Sequence, residues 1–133
     1  MARIIGGIAT SHIPAIGKAI IRGAHDEPAW KAFFDGYKPV HDWLQREKPN
    51  AAILLYNDHG LNFFLDKMPT FAIGAAHEYR NADEGWGLPV ASPFMGFPRL
   101  SWHLIESLVA DEFDVTTCQE MLVDHGFTVP MAL

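Results

Sequence analysis

The stretch AAILLYNDHG, residues 51–60, sets an apolar run against an abrupt polar end. Residues 51–56 are apolar without alternation and contain no glycine or proline, the pattern of a short strand buried on both faces. Asn57-Asp58-His59-Gly60 then supplies three polar side chains and a glycine, which suit a strand-to-loop corner. A carboxylate and an imidazole therefore stand beyond the C-terminal end of an expected central strand. Ligands of open α/β sheets collect there. The corner is read as half of a site.

The rest of the chain repeats the pattern. Residues 3–10 read as a first strand, with Ile4, Ile5 and Ile8 around Gly6-Gly7. Glycines inside a strand mark close approach of another backbone or a ligand. The run Thr10-Ser11-His12-Ile13-Pro14 is a second polar corner, and Asp124-His125-Gly126 a third. Residues 26–47 read as helix, with Asp26 as cap, Pro28 in the first turn, and Trp30, Phe33 and Phe34 at helical spacing. Gly36 and Pro39 are expected to split it. Residues 70–75 and 114–118 read as strands, and 63–65 is a short apolar run. Residues 98–112 form the clearest helix, with Leu100, Leu104 and Leu108 on one stripe. The Gly- and Pro-rich segment 81–99 reads as a long loop, of the kind that usually serves function or an interface. The order strand, helix, strand, strand, helix, strand favours an α/β layered fold.

Composition bounds the partners. The chain has 133 residues, 49% hydrophobic and 20% charged, enough for one packed domain rather than two. A net charge of −6 with no basic stripe argues against nucleic acid as the main partner. Cys118 stands alone, so no internal disulfide forms and a reducing cytoplasm fits. The apolar run in MARIIGGIAT is too short for a signal-peptide core or a membrane span. The expectation is a soluble intracellular protein. The apolar close at Thr128-Val129-Pro130-Met131-Ala132-Leu133 reads as a cut through a longer fold.

His12, His59 and His125 share one context, a polar corner after an expected strand. If those strands lie side by side and parallel, the corners converge. Two imidazoles and one carboxylate, with coordination positions open, suit non-haem Fe(II) and oxygen chemistry. The plain alternative is that loop histidines are only loop residues, and that Asp58 and Asp124 bond their own turns rather than a metal. No HExxH or zinc-finger spacing is present. His25, His41, His77 and His103 read as surface or satisfied side chains. Cys118 reads as a small buried hydrophobe. Neither a phosphate loop after a strand nor a serine-nucleophile elbow occurs.

Taken in order, Thr10-Ser11-His12-Ile13-Pro14, Tyr56-Asn57-Asp58-His59, Pro69-Thr70-Phe71-Ala72-Ile73-Gly74, Ala82-Asp83-Glu84-Gly85-Trp86-Gly87, Ala110-Asp111-Glu112-Phe113-Asp114 and Val123-Asp124-His125-Gly126 with Thr128-Val129-Pro130 resemble the class III extradiol ring-cleaving dioxygenases. Within them the likeness is to the catalytic (beta) subunit of the protocatechuate 4,5-dioxygenase and gallate dioxygenase family. The resemblance runs the whole chain. It implies a three-layer α/β/α sandwich around a mostly parallel or mixed sheet, of which these residues are the N-terminal part. It also implies an Fe(II) cofactor, O2 and a catechol-type aromatic acid as substrates, and ring opening beside the two hydroxyls during aromatic catabolism. His12 and His59 match the family's histidine metal ligands. His125 matches a histidine that bonds substrate or oxygen, and Asn57 is a further candidate substrate contact. The family's glutamate ligand and its main acid–base histidine match nothing here and are expected beyond Leu133, so neither Glu84 nor Glu112 is assigned to the metal. Protocatechuate is the expected substrate, with Trp86 and Thr128-Val129-Pro130 pointing that way, and gallate or 3-O-methylgallate the alternatives. The resemblance further implies an oligomer with a small helical alpha subunit, for which the loop 81–99 is a candidate contact. The alternative of another class is a binding or regulatory domain that lacks a complete metal site.

Overall fold

A computed structural model describes residues 3–85 and 93–133. Trp86, part of the substrate expectation, lies outside the described residues. Helices and mixed parallel and antiparallel strands make this an α/β fold, as expected. The chain forms two compact units, residues 1–56 with 125–133, and residues 57–124.

The first unit is helical among its described residues. Helix α1 spans Pro14–Ile21, α2 Lys31–Asp35, α3 Lys38–Glu47 and α5 His125–Ala132. Pro14 starts α1 and Pro39 lies in the first turn of α3, where a missing N–H costs nothing. Gly36 ends α2, so the expected split at Gly36 and Pro39 is where the helix divides. Asp35 bridges the break, 2.8 Å from Lys31 and 2.7 Å from Lys38. Those two ammonium groups, Lys31 foremost, hold its carboxyl at about 2. Ile16 and Ala19 share one face of α1, and α5 packs against that helix with Val129 wholly buried.

Two expected strands are absent. Residues 3–10 and 51–56 carry no regular secondary structure, and Ile4 is 92% and Leu55 90% exposed. A strand buried on both faces needs a ladder partner and cover for each face, and the described residues supply neither. The glycine reading holds in part: a Cβ on Gly6 would meet the Trp43 ring at 2.5 Å. The close neighbour is the Trp43 indole rather than another backbone.

The second unit carries the strands. Strand β1 (Ala72–Gly74) pairs in parallel with β4 (Thr116–Cys118), inside the two expected strands. Parallel neighbours need a crossover, and α4 (Pro98–Ala110) lies between them in sequence and packs on β1. Strand β2 (Glu78–Asn81) lies between antiparallel β3 (Phe94–Met95) and parallel β5 (Leu122–Val123). Strands β2, β3 and β5 escaped the sequence reading, and β3 occupies part of the expected loop 81–99. Helix α4 ends in a Schellman turn: Phe113 N–H donates to Leu108 C=O, Glu112 N–H donates to Val109 C=O, and Glu112 takes φ 65°. Val123 is 1% exposed and Ile105 5%. Burying each contributes about 1.5–3 kcal/mol.

Candidate active site

Each unit brings two of the singled-out side chains together. In the first, His12 precedes α1 and His125 opens α5, so the packing of α1 on α5 sets them. Their ring centroids are 5.9 Å apart and tilted by 53°. The hydroxyls of Thr10 and Tyr37 are hydrogen bonded, which ties the corner before α1 to the start of α3. His125 is buried, which a solvated loop residue would not be.

In the second unit, His59 stands against Asp124. The Asp124 Oδ2 accepts the His59 backbone N–H at 2.8 Å and His59 Nδ1 at 3.0 Å. A carboxylate is acceptor-only, so Nδ1 carries a proton, and in a neutral imidazole that leaves the lone pair on Nε2. That is the tautomer a metal-binding imidazole needs. Asp124 is 1% exposed, so its bonds to His59 are partly shielded from water. Asn57 is exposed.

The two aspartates have different jobs. Asp58 bonds its own turn: its oxygens accept the amides of Gly60, Leu61, Asn62 and Phe63. Burial pushes its carboxyl up, but the Phe63, Asn62 and Leu61 amides and the Asn62 carboxamide outweigh that and leave it below 3.8. The turn-bonding alternative therefore describes Asp58. Asp124 instead orients a histidine, a role between the two considered from sequence. The signal was present in the repeated Asp-His pair, but only proximity distinguishes one aspartate from the other. Cys118 is half-buried; burial, then the nearby Asp58 charge, raises its thiol above 9.0 and keeps it protonated.

The chain matches the family described as the catalytic LigB subunit of aromatic ring-opening dioxygenase over residues 6–133. It belongs to that family. It is 31% identical over 127 residues to the 2,3-dihydroxyphenylpropionate/2,3-dihydroxicinnamic acid 1,2-dioxygenase of Photorhabdus laumondii, covering 95% of this chain and 37% of that protein. The protein of the same name from Comamonas testosteroni is 30% identical over 118 residues, 89% of this chain and 34% of that one. A gallate dioxygenase of Pseudomonas putida is 43% identical over 51 residues, 38% of this chain and 15% of that protein. This LigB-family chain thus spans little more than a third of the first two curated relatives. Among the described residues no helix is long and apolar enough to cross a membrane.

Proposed function

We propose that the chain is part of a cytoplasmic extradiol dioxygenase that opens the ring of a carboxylated catechol with Fe(II) and O2. Both units belong, in this proposal, to one catalytic domain. The observation that carries it is buried Asp124 holding His59 by its backbone amide and Nδ1, in a chain of the aromatic ring-opening family.

His12 and His59 would hold the metal. The donor set fits: neutral imidazoles are ordinary ligands for ferrous iron, and a carboxylate behind one of them is the usual support. No carboxylate of this stretch is assigned as third ligand. Fe(II) held there would supply the Lewis-acid and redox chemistry of ring opening. The chain's own residues orient and handle protons. His125, buried and 5.9 Å from the ring of His12, would hold a substrate hydroxyl or stabilise charge on oxygen through a ring nitrogen. Asn57, beside the same corner as His59, would contact the substrate. Protocatechuate remains the first candidate. The names of the relatives add gallate and 2,3-dihydroxyphenylpropionate, and all three join adjacent hydroxyls to a carboxylate. A small helical subunit and an oligomer remain part of the proposal.

The test is anaerobic Fe(II) loading of the intact protein, then oxygen uptake with these acids and 3-O-methylgallate. Uptake with one of them, and ring opening beside the hydroxyls, is the expected result. His12→Ala or His59→Ala should abolish iron binding, and His125→Phe should keep iron and lose rate. Iron lost in His125→Phe would make His125 a ligand. Absence of both iron binding and uptake in the unmutated protein would leave a binding domain.

A further inference from the structure

We propose that Asn62 is a positioning residue for His59, acting through the β5 backbone. The inference rests on the reading of His59 as a ligand.

The Asn62 side chain joins the turn after His59 to the strand before Asp124. Its Nδ2 donates to Leu122 C=O at 2.9 Å, and its Oδ1 accepts Leu122 N–H at 3.2 Å. The same Nδ2 donates to Asp58 Oδ1 at 2.7 Å. These three bonds fix the amide's orientation, since turning it over would set its oxygen against both the Leu122 carbonyl and Asp58 Oδ1. The carboxamide thus copies a backbone unit and pairs with β5 as a neighbouring strand would. Leu122 lies two residues before Asp124. His59 lies three residues before Asn62, within the turn that Asp58 gathers. The chain from Asn62 through Leu122 to Asp124 and the turn from Asn62 back to His59 therefore close a ring. Its last link is Asp124 Oδ2 with the amide and Nδ1 of His59. Removing Asn62 opens this ring and loosens the register in which Asp124 meets the imidazole.

The experiment uses Asn62→Ala and the isosteric Asn62→Asp, which sets an oxygen against Asp58 and the Leu122 carbonyl. Amide hydrogen exchange, the 15N shifts of the His59 ring and anaerobic Fe(II) affinity are measured on each. Expected are faster exchange at the amides of both Leu122 and His59, loss of the fixed Nδ1–H tautomer, and Fe(II) affinity lower by up to about tenfold. Faster exchange at Leu122 alone, with the His59 amide and tautomer unchanged, overturns the proposal. If neither variant folds, native-state exchange of the unmutated protein decides: the Leu122 and His59 amides should open together, with one denaturant dependence. Independent opening overturns the proposal. The exchange and tautomer measurements need no metal, so an unmutated protein that takes up no Fe(II) would sink the proposed function and leave the role of Asn62 still decided.

Discussion

Asp124→Asn keeps the shape of a side chain that is 1% exposed and removes its charge. In the native protein Oδ2 accepts two hydrogen bonds from His59, at 2.8 Å and 3.0 Å. A bond to a charged acceptor is worth about 1.5–3 kcal/mol and a neutral one about 0.5–1.5, so each bond weakens by about 1 kcal/mol. Both bonds exist without a metal, so their weakening lowers the stability of the metal-free protein by about 1–2 kcal/mol in urea. The bond to the ring strengthens when the imidazole gives its other electron pair to a cation, so its loss lowers Fe(II) affinity. The His59 side chain is 37% exposed, and water screens part of the effect. The expected fall in affinity is therefore about tenfold, the low end of what such supporting groups contribute. Anaerobic Fe(II) titration and urea unfolding measure the two. Unchanged Fe(II) affinity beside that stability loss would show that Asp124 only clamps the turn, and would refute the reasoning.

Three further outcomes follow from the second unit. A Cβ at Gly96 would stand 2.1 Å from the Ala76 carbonyl oxygen, a backbone atom, so Gly96→Ala should lower stability by about 1–3 kcal/mol in urea. Glu112 occupies φ 65° at the end of α4, where glycine is at ease, so Glu112→Gly should raise stability by up to about 1 kcal/mol in thermal unfolding. Asp58 is depressed below 3.8 in the folded chain, so its contribution is full above pH 3.8 and is lost as pH falls further. Exchange at the amides of Gly60, Leu61 and Phe63 should accelerate below pH 3.8, and Asp58→Asn should remove that dependence.

Helices α2, α3 and α4 were legible because their signals are local, whereas α1 (Pro14–Ile21) escaped, its proline read only as the end of a corner. Pro98 and the Leu100, Leu104, Leu108 stripe needed nothing beyond their own turn to mark α4. Helix α5 was missed because Pro130 stands inside it and argues against a helix. Strands are not local. Residues 51–56 have the composition of a buried strand, yet composition says nothing about who pairs with them, and no partner lies among the described residues. Leu122 and Val123, a two-residue strand, become one only through β2. The candidate site was visible only as residue types in polar corners; the structure sets His12 beside His125 and His59 beside Asp124. The contribution of Asn62 was invisible because a carboxamide standing in for a peptide has no sequence signature.

That substitution has a consequence for solubility. A sheet margin with bare N–H and C=O groups is a template onto which a second molecule can zip. Val123 C=O accepts Ala82 N–H on the β2 side, and Leu122 is engaged by Asn62. The side chain closes a margin that would otherwise invite self-association, so a chain altered at this one position should cloud at concentrations where the native chain stays clear.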